Sequence, residues 1–433
     1  MKESKEKVRN HGDKSLFPFG IFLLVFFTNL LLPISPISDT VWNIPTGMSL
    51  LLSGDFNLDE YSDLKKEYNH YGISESKGHS YNYFPPGVSI LAIPQLFVLT
   101  QINGSREILN HSAEAGRFVA AGWMAVAALF LFYAFRRKFG EEFAIGFSLL
   151  FAFCTPALST GGRALWQQSG VLLLNSALFW ILTKDFLKRA ELLWIGAICG
   201  FAIWVRPTTV ITSICIFLYL LKTIRIRAFT ILIPAVSFLI LFLIFNWNLF
   251  DSPLPTYYGE HSHRISSFGM FLHGFLGNLF SPSRGLIIWS PFLILSFYGF
   301  YRSFRKKESL SSISTLFAFI VLFHLCIISG YNMWWGGHSI GPRFWTEMIP
   351  FFLWFCAKGF RDLNLLNEKV LLFRRIWIFL CVLSFAIHLR ASVDAGPTLW
   401  NRYPVDVDQD PSRIWDWKDP QFLRGDHGVR FFL

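Results

Sequence analysis

Residues 16–55 read LFPFGIFLLVFFTNLLLPISPISDTVWNIPTGMSLLLSGD. The opening 19 residues, Leu16 to Ile34, are apolar almost without a break. As a helix rising 1.5 Å per residue they would extend about 28 Å, close to the hydrocarbon thickness of a bilayer. A polar, basic stretch, Met1 to Lys14, precedes them. Pro33, Ser35 and Pro36 stand where a cleaved leader would show a small-residue cleavage site. The segment therefore reads as an uncleaved first span. Asp39 follows directly in Ser38-Asp39-Thr40, and Gly54-Asp55 closes the stretch fifteen residues later.

Working outward, the remaining apolar runs are 116–135, 143–160, 168–183, 192–206, 207–222, 228–248, 285–301, 313–331, 344–357 and 376–390. Composition agrees. Of 433 residues, 53% are hydrophobic, only 16% are charged, and Phe alone occurs 48 times; mean hydropathy is +0.41. A soluble core of this chain length could not hide so much apolar surface, which excludes cytosolic enzymes and disordered or collagen-like chains. The net charge of +10 sits in short basic knots: Arg136-Arg137-Lys138, Lys184 to Arg189, Lys222 to Arg227, Arg302 to Lys307 and Lys358 to Arg375. Nucleic-acid binding needs one clustered basic face; scattered knots instead follow the positive-inside rule. Six cysteines all fall in apolar segments without CxxC spacing and read as small core residues.

If each knot is cytoplasmic, the charges thread an all-α, polytopic membrane protein of about eleven spans, with the N-terminus inside and the C-terminus outside. One segment breaks this parity. Pro85 to Thr100 is apolar but short, and prolines at 85, 86 and 94 flank and interrupt it, so it reads as an interfacial helix on the outer side. The transmembrane domain then occupies 1–390, with a long first outer loop at 35–115. A second outer loop runs from Phe250 to Pro282, and a short outer-face tail covers 391–433. No Walker A loop is present, so nucleotide-driven transport has no support.

An acidic residue where a helix leaves the bilayer has its carboxylate partly desolvated, which raises its proton affinity and suits a general base. A solvated loop carboxylate or a helix cap would look the same in isolation. The context is more specific. Asp39 is followed by an apolar stretch ending in Gly54-Asp55, then by Tyr83-Phe84-Pro85-Pro86-Gly87, then by Gly116-Arg117-Phe118 opening the next span. This run resembles the first-loop signature of the GT-C glycosyltransferases, nearest in pattern to the protein O-mannosyltransferases and the lipid A aminoarabinose transferases. The likeness covers roughly 16–210, and the remainder only by general architecture.

The resemblance implies transfer of a sugar from a polyprenyl-phosphate carrier, with inversion, to a glycan, lipid or protein acceptor at the outer face. It places Asp39 at the catalytic base. No cofactor and no metal are implied by the motifs. Relatives often carry a second acid in the next outer loop; here Gln167 stands in its place, which favours a single titrating carboxylate. Negative charge growing on the departing phosphate calls for cations. Arg163, Arg284 and Arg343 are the outer-side candidates, since a guanidinium matches phosphate with a planar fork of donors. Each could instead snorkel to the interface, and Arg343 with Glu347 has the spacing of a helical i,i+4 bridge. Trp334-Trp335-Gly336-Gly337-His338 offers indole faces for a sugar and a histidine for the acceptor, although tryptophans also populate the interfacial belt. Glu260, His261 and His263 have too few partners for a convincing metal site. Arg206, before Pro207, is a charge at the membrane boundary, where function is the first expectation.

Two other classes compete. A non-catalytic flippase or carrier for lipid-linked sugars would string ionisable residues through mid-span positions. An O-antigen polymerase or ligase typically carries its large outer loop late in the chain. The expected setting is a bacterial plasma membrane.

Overall fold

The computed structural model describes residues 16–34, 38–260, 267–305, 309, 312–363 and 369–425. Every apolar run read from the sequence coincides with helix: Phe17–Leu31, Ser112–Phe139, Glu141–Phe153, Gln167–Leu182, Arg189–Val205, Val210–Ile224, Leu232–Phe250, the broken pair Leu286–Trp289 and Ile294–Arg305, Ile313–Ser329, Ile349–Leu363 and Lys369–Val393. Helix is the natural outcome for such segments, because it satisfies every backbone group internally where no water can. By length and composition, three stretches among the described residues are long and apolar enough to cross a membrane: Ser112–Phe139, Pro207–Phe250 and Leu371–Val393. The second is interrupted at the basic knot, where Arg225 takes a positive φ of 52°.

The alanine-rich helix Ser112–Phe139 lies at the centre of the first half of the chain. Ala120, Ala121, Ala125, Ala127 and Ala128 are fully buried, and small side chains let the first helix, Glu141–Phe153 and Gln167–Leu182 pack closely on it. At the other extreme, Leu232–Phe250 turns Ile233, Ile240, Leu241, Ile244 and Trp247 outward. An apolar face that large would drive aggregation in water and needs a lipid environment.

The segments between the apolar helices are more structured than their sequences suggest. Helix Asn43–Leu52 ends just before Gly54 and packs on Gly87–Asn103. The latter is 17 residues long with Pro94 inside it, about 25 Å at helical rise and so shorter than the bilayer core. Between them lies an unexpected antiparallel hairpin, Ile73–Ser76 with His79–Asn82. Its two-residue turn, Lys77-Gly78, has φ of 52° and 83°, the pair of positive values that matches strand twist. The loop read at Phe250 to Pro282 holds the apolar helix Phe268–Phe280, which packs on Ile313–Ser329. Its glycines explain the docking: a Cβ on Gly277 would lie 2.0 Å from the Trp334 ring.

Candidate active site

Asp39 sits in a short 3-10 turn, Ser38–Thr40, just beyond the first helix. Its Oδ1 accepts from Tyr71 Oη at 2.8 Å, and its Oδ2 accepts from Arg343 Nη1 at 3.2 Å. The two charged residues lie 304 positions apart in the chain. Arg343 is reached through Gly341, which has φ of 56° and whose Cβ would meet the Trp289 indole at 2.6 Å; only glycine fits there on either count. The Arg343 guanidinium lies 4.7 Å from the Trp166 ring centroid and 5.5 Å from that of Phe344. Nη2 donates to Gly336 O at 2.8 Å. Nε is buried with no hydrogen-bond partner.

The helical bridge expected between Arg343 and Glu347 does not form. Arg343–Met348 is a 3-10 segment, in which residues four apart do not share a face. Glu347 turns inward instead. Arg206 Nη1 donates to its Oε2 at 2.6 Å, and its Oε1 lies 3.6 Å from His324 Nδ1. Arg206 Cζ lies 5.3 Å from the opposite ion pair's neighbour, the Phe344 ring. Two ion pairs thus lie close to one phenyl group.

The other candidates divide between facing the site and bracing it. Gln167 starts the helix Gln167–Leu182, and its Oε1 accepts from Tyr258 Oη at 3.3 Å. Arg163 is buried, with Nε on Pro33 O at 3.1 Å and Nη1 on Ala391 O at 2.9 Å, tying the end of the first helix to the end of the last. Arg284 donates to the carbonyls of Ser283, Trp335 and Gly337 and to the side-chain oxygens of Asn401 and Gln421. Those five bonds match the five N–H groups of a guanidinium, so Arg284 has none left for a phosphate. Trp334 is 2% exposed; its faces are covered by His273, the Phe268–Phe280 helix and the tail around Trp400 and Ile414. Trp335 keeps more of its surface and donates Nε1 to Asp408 Oδ1 at 2.8 Å.

His338 meets the tail. Its Nε2 lies 3.0 and 2.9 Å from the two oxygens of Asp406 and 3.8 Å from Asp408 Oδ2. Burial pushes the Asp406 carboxyl up, but its bonds with His338 and the Asp408 amide more than offset this and hold it below the usual range. Among the described residues, His338, Asp406 and Asp408 are the metal-capable group, with one ligand atom from each lying within 4.8 Å of the others. His261 and His263 lie outside the described residues.

Tyr71, Tyr257, Tyr258 and Trp166 escaped the sequence reading. Tyr257 packs on Tyr83 and Phe84 at centroid distances of 5.7 and 5.1 Å, which brings the segment after Phe250 against the one before Gly87. The Tyr257-Tyr258 doublet in an otherwise polar loop was the available signal; Tyr71 had none.

With this geometry in view, the comparisons are informative. Residues 96–250 match the family model described as dolichyl-phosphate-mannose-protein mannosyltransferase. The crystal structure of the Archaeoglobus fulgidus oligosaccharyltransferase, tethered with an acceptor peptide through a disulfide, superposes with a TM-score of 0.51 at 12% identity. That alignment covers 93% of this chain and 59% of the archaeal one. No curated protein sequence matches. The fold is of the GT-C type. The resemblance drawn from the first outer loop is thereby borne out in fold. The family match includes Arg163, Gln167 and Arg206 but neither Asp39 nor Arg343.

Proposed function

We propose that the protein is a GT-C glycosyltransferase that moves a sugar from a polyprenyl-phosphate carrier to a hydroxyl of a glycan, lipid or protein acceptor, with inversion. The reaction would take place at the outer face of a bacterial plasma membrane, with the N-terminus in the cytoplasm and the C-terminus outside. The observation that carries this reading is the Asp39–Arg343 pair, a carboxylate and a guanidinium held together beside the aromatic loops.

In the transfer, the acceptor oxygen forms its bond to the anomeric carbon as the bond from that carbon to the phosphate oxygen breaks. The electron pair leaves on the phosphate, and the acceptor proton passes to Asp39. Arg343 then answers the charge that grows on the leaving phosphate. Without donor, Asp39 and Arg343 neutralise each other. A donor phosphate competes for the guanidinium, which already has an unused buried N–H at Nε, and its capture of Arg343 uncovers the base. Tyr71, donating to the other Asp39 oxygen, keeps the carboxylate oriented through the exchange.

An apolar groove of about 780 Å³ runs between the first helix, Glu141–Phe153 and Lys369–Val393, lined by Leu24, Gly146, Phe153, Cys154, Ile378 and Phe385. It has the chemistry to hold an isoprenoid chain. The test is to incubate the purified protein with a panel of polyprenyl-phosphate sugars and score release of the carrier phosphate. Acceptor-dependent release supports the reading. Binding of these donors without release by any of them would move a carrier role ahead of it.

A further inference from the structure

The tail and the aromatic loop converge on three ligand-type side chains that the transfer reaction does not use. Asp408 Oδ1 is held by the Trp335 indole N–H at 2.8 Å, and Asp406 Oδ1 accepts the Asp408 backbone N–H at 2.9 Å. Both Asp406 oxygens lie near His338 Nε2, at 3.0 and 2.9 Å, and the free Oδ2 of Asp408 lies 3.8 Å from it. This is how metal sites are commonly built. The ligand atoms face one another, while outer hydrogen bonds fix the orientation of each carboxylate.

We propose that His338, Asp406 and Asp408 form a binding site for a divalent transition cation of the Zn²⁺ or Mn²⁺ class. One imidazole and two carboxylates suit such ions better than Mg²⁺ or Ca²⁺, which prefer oxygen alone. The charges balance, since two carboxylates with a neutral imidazole carry the complement of one dication. Local cations do not already fill this role. Arg402 acts on Asp406 and Arg284 on Asp408 only through the field, and the Arg284 N–H groups are all taken by neutral acceptors. The three side chains are partly exposed, at 36%, 29% and 35%, so three protein ligands leave open positions toward the outer solution. A bound ion would clamp the tail onto the loop whose Gly336 carbonyl holds Arg343. Binding itself is independent of the transfer reaction, whereas any influence on Arg343 rests on the function proposed above.

The experiment uses the full-length chain in lipid nanodiscs, stripped with EDTA and dialysed. Equilibrium dialysis against Zn²⁺ and Mn²⁺ is expected to give one ion per chain. Trp335→Phe, which removes only the N–H that orients Asp408, should weaken that binding by about 10- to 100-fold, and Asp406→Asn with Asp408→Asn should abolish it. Should the double variant misfold, His338→Gln removes one ligand from a half-exposed loop and carries the same test. Zn²⁺ should raise the melting midpoint of the unmodified protein and not that of His338→Gln. An ordinary histidine–carboxylate ion pair predicts no metal-dependent rise. That result, or unchanged metal affinity in His338→Gln, overturns the site.

Discussion

Two ion pairs lie close to Phe344, and they differ in what surrounds them. Arg206 and Glu347 are 5% and 1% exposed and share their enclosure with His324. Arg343 and Asp39 are 11% and 28% exposed, with Asp39 just beyond the first helix, and the pair includes an unsatisfied N–H. An enclosed pair cannot exchange partners without stranding a charge, so it acts as scaffold. A half-open pair with spare hydrogen-bonding capacity can give one partner to an incoming anion. The difference separates the charge that holds the bundle from the charge that is free to work.

Breaking the enclosed pair should have the largest effect, and on stability. Glu347→Ala leaves Arg206 buried and unpaired, which costs about 3–5 kcal/mol; a thermal melt in detergent should show a large fall in the midpoint. Removing the open cation should act on rate instead. Arg343→Ala is expected to lower kcat by about 10²–10³-fold, the usual loss when one preorganised charge donor is deleted, with a melting midpoint near that of the parent. If Arg343→Ala destabilises as much as Glu347→Ala, the two pairs are not different in kind. Tyr71→Phe removes one hydrogen bond from Asp39, worth about 0.5–1.5 kcal/mol, so turnover should fall no more than about tenfold. The smallest change tests the groove. A Cβ on Gly146 would meet nothing within 4 Å, so Gly146→Leu fills open space and leaves the packing intact. Each methylene displaced costs about 0.8 kcal/mol, and KM should rise for long-chain donors while short-chain analogues are unaffected.

The same contrast marks what the sequence could reveal. Continuous apolar runs and basic knots made the spans readable, and Asp39 was readable because its neighbours in the chain form the motif. Arg343 was readable as a cation but not as the partner of Asp39, since only the packing of distant segments brings them together. Helical spacing assigned it to Glu347, and the 3-10 geometry at Arg343–Met348 undid that pairing. Arg284 and Trp334 looked exposed because they lie among loop residues. The short tail buries both, by offering Asn401 and Gln421 to the guanidinium and Trp400 to the indole cluster. Sequence spacing carries no information about such long-range acceptors.

Asp39→Asn tests the central claim most directly, because it keeps the shape and the Tyr71 contact while removing the basic site. General-base catalysis is worth about 10²–10⁴ in rate. With a matched donor and acceptor, single-turnover transfer should fall by that factor, while donor binding and the melting midpoint stay close to those of the parent. Near-full transfer by Asp39→Asn would contradict the account.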